Sequence, residues 1–112
     1  MSADRKLLEL AARAHGGLVH VDGLGWIHED ENGNRGAWWR PLEDDGDAMR
    51  LAVKCGISIG PECQDVIGRS LCRVSWLNRS YSLGEYGGGD PFVATRRAIV
   101  RAAAKIGESK RD

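Results

Sequence analysis

Residues 90–107 read DPFVATRRAIVRAAAKIG, and they carry the clearest structural signal in the chain. Asp is a preferred N-cap residue, which suits Asp90. Pro91 suits the first helical position, because the N–H that proline lacks would have no intrahelical acceptor there. Apolar residues then recur at helical spacing. The pattern predicts a helix over about 91–106 that Gly107 ends, followed by a frayed tail over 108–112.

A second helix is predicted over about 45–55. Four carboxylates lie in the run 43–47, at the end of the helix where its dipole favours negative charge. Asp44 is the expected N-cap, Asp45 and Asp47 fall in the first turn, and Gly56 ends the helix. A divalent cation is the alternative ligand of this run, but its spacing differs from that of a calcium loop. An apolar stripe predicts one more helix over about 4–14.

The remaining segments read as strands between tight turns. Asp22-Gly23 and Asn32-Gly33 are hairpin signals within 18–40, and residues 63–86 alternate like an antiparallel hairpin. A sheet of about four to six strands with apolar side chains on both faces needs helices on both. We therefore predict one α+β domain over 1–112, an α/β/α sandwich around a mostly antiparallel sheet.

Composition excludes several classes of protein. The 112 residues carry 16 basic and 16 acidic side chains, so the net charge is zero, unlike that of a general nucleic-acid coat protein. No apolar run reaches the roughly 20 residues of a membrane span. The N-terminal stretch lacks a signal-peptide pattern, and the odd number of cysteines (Cys55, Cys63 and Cys72) favours the cytoplasm. The cysteine spacing matches no zinc module, so we expect no metal.

Three stretches resemble a known family. They are LLELAARAHG at 7–16, WRPLEDDGDAMRLAVKCGI at 39–57 and DPFVATRRAIVRAAAKIG at 90–107, and they look like the small phage-encoded proteins of the phage ABA-sandwich family. The resemblance implies an α/β/α sandwich and a phage or prophage origin. It implies no activity and transfers no catalytic residue, because that family has no established biochemical function. Cys55 stands where the pattern has leucine.

Arg96 is the first candidate site residue. A helical wheel places it in the middle of the apolar side of the third helix, where an unpaired guanidinium is costly. The run 43–47 holds the nearest supply of carboxylates. We expect Arg96 to pair with one of these acids or with helix-end carbonyls. The alternative is that its head reaches solvent at the edge of the stripe.

Two further groups of residues are candidate contact surfaces. Trp38 and Trp39 are adjacent on a strand and must point to opposite faces, so one of them is available to anchor a partner beside Arg40 unless helices bury both. Arg97, Arg101 and Lys105 form a basic stripe opposite Arg96. This stripe suits weak nucleic-acid contact or self-association, and the plainer alternative is a solvated helix face.

Catalytic motifs are missing from the sequence. It contains no GxSxG, no HExxH and no phosphate loop, and an enzyme would need His20 or His28 beside Asp22 or Glu29 in a polar cleft. We therefore expect a non-enzymatic phage accessory protein without a cofactor that binds a host or phage protein. The alternative is a nucleic-acid-associated protein that uses the basic face of the C-terminal helix.

Overall fold

The computed structural model describes residues 2–60, 64–66, 69–77, 81–86 and 90–109. They form three helices, α1 (Ser2–His15), α2 (Asp45–Cys55) and α3 (Pro91–Ser109), and seven strands, β1 (Leu18–Val21), β2 (Gly25–Glu29), β3 (Arg35–Trp39), β4 (Ser58–Ile59), β5 (Gln64–Val66), β6 (Arg69–Trp76) and β7 (Tyr81–Tyr86). The α+β class and the three predicted helices are confirmed. No helix in these ranges is long and apolar enough to cross a bilayer.

All strand pairs are antiparallel, but the strands divide between two sheets in the described ranges. The first sheet has the order β1–β2–β3. In the second, β6 pairs with β7 along one edge and with both β4 and β5 along the other, since Val74 pairs with Ile59 and with Leu83. One sheet of four to six strands between two helical layers is therefore not confirmed. Helix α2 lies in the sequence between the two sheets.

Helix α3 lies at the centre of the domain and contacts α1, α2, β6 and β7. Its buried residues are mostly small, and they are Ala94, Ala98, Ile99, Val100, Ala102, Ala103, Ala104 and Gly107. Short side chains let neighbouring elements approach the helix closely from several directions. Because protein interiors contain few voids, the space beside these short side chains is filled by the neighbouring elements. The helix is consequently buried on more than the single side that we expected, although Phe92 on that side is exposed near its first turn.

Gly107 does not end α3, contrary to the prediction, because the helix continues to Ser109. A Cβ atom on Gly107 would overlap the carbonyl oxygen of Leu10 in α1 and would lie 3.3 Å from the Ala14 nitrogen. The glycine is thus required by the close approach of two helix backbones. Glu108 of the expected tail is helical, and residues 110–112 lie outside the described ranges.

The side chains of β6 alternate as predicted. Cys72, Val74 and Trp76 are buried, whereas Arg73 is exposed. The three buried side chains join the core cluster together with residues of α2 and α3. Because β6 and β7 both contact α3, this sheet covers one side of the central helix.

We predict that Gly107→Ala lowers the free energy of unfolding by about 3 kcal/mol, because the added methyl group must separate α1 from α3. Chemical denaturation measures the loss. Gly46→Ala in α2 is the matched control, since the atoms nearest to its Cβ belong to the side chains of Arg50 and Asp44 and not to the backbone of another helix. That control should change stability by less than about 1 kcal/mol. Equal stability of Gly107→Ala and the unmodified protein would contradict the assigned packing.

Candidate functional site

The acidic run 43–47 caps α2. Asp44 has extended backbone angles, and its carboxylate accepts a hydrogen bond from the Asp47 nitrogen at 2.8 Å. At the other end, the left-handed Gly56 (φ 68°) donates its N–H to carbonyls of the last turn. Asp90 caps α3 in the same way, accepting from the Phe92 nitrogen at 2.9 Å, and Pro91 is the first helical residue. The predicted capping roles are confirmed.

Asp47 links α2 to the end of β3. Its buried carboxylate accepts hydrogen bonds from the Arg40 nitrogen at 2.8 Å and from Nη2 of Arg50 at 2.9 Å. Burial raises the pKa of Asp47, but these two hydrogen bonds and the positive charge of Arg50 outweigh it and lower the pKa overall. The carboxylate is therefore fully engaged inside the protein. Within the described residues, no cluster of three His, Cys, Asp or Glu side chains could hold a metal ion.

Arg96 connects α3 to the start of α2. Its Nε donates to the Leu42 carbonyl at 2.8 Å, and its Nη1 lies 2.6 Å from Oδ1 of Asp45. The Arg96 side chain is only 15% exposed, whereas that of Asp45 is 65% exposed. The guanidinium is thus paired, as predicted, with an acid of the run 43–47 and with a carbonyl beside it. Arg96 is a structural residue that holds two helices together.

Trp38 and Trp39 point to opposite faces of the first sheet, as their adjacency predicts. Trp39 is 3% exposed and belongs to the core, while Trp38 is 38% exposed. Arg40 is exposed, although its backbone nitrogen is held by Asp47. Trp38, Trp39 and Arg40 were predicted as a contact surface. Trp39 is not part of such a surface, because it is packed in the core and inaccessible to a partner.

The strand register shows what accompanies Trp38. Trp38 pairs with Ile27, which pairs with Val19, so the three side chains form one row across the sheet. Ile27 and Val19 are half-buried. Leu24, in the turn between β1 and β2, is 66% exposed. We call these four residues the Trp38 surface.

A pocket of about 280 Å³ opens where β3 ends, beside the Trp38 surface. Leu8, Leu24, Trp26, Trp38, Trp39 and Arg40 are among its lining residues. The Trp39 indole nitrogen is buried and has no hydrogen-bond acceptor among the described residues. The pocket is therefore mainly aromatic and apolar, and its charged lining residues are Arg40 and Glu43.

The basic stripe on α3 is shorter than predicted. Arg101 and Lys105 are exposed, but Arg97 is partly buried, and its Nη2 lies 3.4 Å from Oδ1 of Asp4 in α1. Helix α1 packs along this part of α3, so Arg97 links the two helices. The exposed members of the stripe are thus Arg101 and Lys105, in its C-terminal part.

The histidines divide between two places. His20 lies 3.4 Å from the exposed Asp22 at the tip of the first hairpin. His15, at the end of α1, contacts the rings of His28 and Trp39 at centroid distances of 5.6 and 5.5 Å. Burial lowers the pKa of His15 and outweighs the hydrogen bond to the Gly16 carbonyl. No motif in the sequence marks His15, and the available signal is its position near the end of a predicted helix.

No family model matches the chain, and neither the curated proteins nor the solved structures contain a significant match.

We predict that Arg96→Met lowers the free energy of unfolding by about 1–2 kcal/mol, because the partly buried Leu42 carbonyl loses its donor. Asp45→Asn removes the charge of the exposed partner and should cost less than about 0.5 kcal/mol. Denaturant unfolding of both variants separates the carbonyl bond from the ion pair. An Arg96→Met protein as stable as the unmodified one would show that this contact contributes little.

Asp47 makes the stability depend on acid pH. The pKa of Asp47 is lower in the folded chain than the usual 3.8. The ionised carboxylate therefore contributes its full stabilisation of the fold above pH 3.8, and this stabilisation is lost as the pH falls through the pKa of the folded state. We predict that the free energy of unfolding decreases less steeply with falling pH in Asp47→Asn than in the unmodified protein, below about pH 5. Urea titrations between pH 7 and pH 2 test this, and parallel curves for the two proteins would contradict it.

Proposed function

We propose that this protein is a small non-catalytic module that binds another protein through the Trp38 surface and the neighbouring edge of β3. The exposure of Trp38 carries the proposal. In protein interfaces, a few large aromatic side chains contribute most of the binding energy. Trp38, in a row of apolar residues, is a side chain of this type. Trp38, Ile27 and Val19 lie on the face opposite to the one that carries the core residue Trp39.

The edge of β3 supports the same proposal. In the order β1–β2–β3, β3 pairs only with β2 among the described strands, and Arg35–Trp38 are exposed. An unpaired strand edge accepts an extended segment of a partner through backbone hydrogen bonds, and side-chain pockets beside it supply specificity. The aromatic pocket at the end of β3 lies where such a segment would place an apolar side chain.

The alternative function, nucleic-acid binding by α3, has less support. Phosphate binding draws on several basic side chains, whereas Arg97 is engaged with Asp4 and the exposed part of the stripe consists of Arg101 and Lys105. The net charge of zero adds no general attraction for a polyanion. We therefore prefer a protein partner.

The phage or prophage origin belongs to the proposal as well. Its support is the likeness of segments 7–16, 39–57 and 90–107 to the phage ABA-sandwich family, which also implies the α/β/α arrangement. The three segments cover the C-terminal part of α1, all of α2 and nearly all of α3, and these helices contribute many residues of the core cluster. A phage accessory protein would bind a host or phage protein with the Trp38 surface.

Affinity capture from bacterial lysate tests the binding surface. The full chain is immobilised as the unmodified protein, as Trp38→Ser and as the matched control Val53→Ser, whose side chain is exposed on α2. We predict that the unmodified protein and the control retain the same specific protein, and that Trp38→Ser retains at least about tenfold less, which is a loss of about 1.4 kcal/mol. Thermal unfolding verifies that each variant is folded. Equal retention by all three, or no specific protein on any, would contradict the proposal.

A further inference from the structure

A polar pocket of about 460 Å³ lies at the other end of the β2–β3 pair from the Trp38 surface. Three separate parts of the fold contribute its basic side chains: His15 ends α1, His28 lies on β2, and Lys54 lies in the last turn of α2. Arg35, Glu29 and Asp30 line it as well. The pocket is a shallow depression that is widely open to solvent.

The acids of this pocket are already engaged. Glu29 Oε2 accepts from Nε of Arg35 at 3.1 Å, so these two charges offset each other. Asp30 Oδ1 accepts from the backbone nitrogens of Asn32 and Asn34 at 2.9 and 2.8 Å, which holds it in its own turn.

Among the described residues, His15, His28 and Lys54 are in no ion pair with a carboxylate. Asp47, the other acid near the histidines, is held by Arg40 and Arg50. Within the described residues, Lys54 has no carboxylate partner, and the two imidazoles contact each other and, through His15, the ring of Trp39.

We propose that His15, His28 and Lys54 form a binding site for phosphate, taken either as the free ion or as the phosphate group of a small molecule. Protonated imidazoles and an ammonium group donate charge-assisted hydrogen bonds to phosphate oxygens. Donors from three elements match a tetrahedral group better than a planar carboxylate. A metal cation is disfavoured because Lys54 would repel it.

Phosphate binding is coupled to protonation of the His15 imidazole. Burial first, and then the charges of Lys54 and His28, lower the pKa of His15, while the Gly16 carbonyl and Asp47 oppose this effect. A bound phosphate would favour the charged form of the ring and raise its pKa. The charged groups near the ring thus include Lys54 and Asp47 from α2 and His28 from β2. Glu29, Asp30 and Arg35 line the same pocket.

Gly36 leaves room beside His28. A Cβ on Gly36 would lie 3.7 Å from the His28 Cβ, at ordinary contact distance, and Gly36 is not among the glycines with positive φ. A valine there fits strand β3 and reduces the space next to the ring. Gly36→Val therefore tests the site without removing any of its three basic side chains.

Titration of the full chain with inorganic phosphate, followed by the imidazole C–H signals in NMR spectra at pH 6.5 and constant ionic strength, tests the proposal. We expect saturable shifts of His15 and His28, with affinity reduced about tenfold in Lys54→Met and similarly in Gly36→Val. Lys105→Met, which removes an exposed lysine of α3, is the matched control and should bind like the unmodified protein. Acetate at equal ionic strength should bind more weakly.

Phenyl phosphate distinguishes the two sources of the ligand. Saturation by both probes indicates a site open to phosphate monoesters, and saturation by inorganic phosphate alone indicates a site for the free ion. Shifts that grow linearly with salt, or an equal response of Lys54→Met and Lys105→Met, would overturn the proposal. The Trp38 surface is not involved, so these results leave the proposed protein binding untouched.

Discussion

The close approach of α1 and α3 at Gly107 is the constraint on which the rest of the domain depends. The Leu10 carbonyl occupies the space where a side chain of residue 107 would be, so the two helices form one tightly packed pair. Alanines along α3 extend this principle to its other sides, where α2 and the strands β6 and β7 pack. Small side chains bury little area each, and the core gains its stability from close packing on several sides.

Local signals are sufficient to predict the three helices and the caps formed by Asp44, Gly56 and Asp90. Asp44, Asp90 and Gly56 act within a few residues of their own position, and Arg96 could be paired because the sequence offered one concentrated source of carboxylates. The prediction for Gly107 is wrong because the sequence does not distinguish a glycine that ends a helix from a glycine that allows a second helix to pack closely. The separation of the strands into two sheets depends on long-range packing, which short-range patterns do not encode. For the same reason, the sequence does not predict that His15, His28 and Lys54 lie close together.

The first sheet presents different chemistry at its two ends. At the β1–β2 turn and the end of β3, apolar and aromatic side chains form the Trp38 surface. At the other end, imidazole, ammonium and guanidinium groups surround a polar pocket. Both rest on a rigid support, because Asp47 ties the end of β3 to α2, and Arg96 ties α2 to the central helix. The proposed protein contact and the proposed phosphate site thus lie at opposite ends of one sheet.

Native-state hydrogen exchange tests the central position of α3 most directly. Amides of a helix packed on several sides exchange only through global unfolding, whereas those of an edge strand open locally. The account predicts that the amides of residues 98–104 exchange most slowly in the chain, with the free energy measured for global unfolding. Exchange of these amides faster than those of β1 to β3 would contradict the central role of this helix.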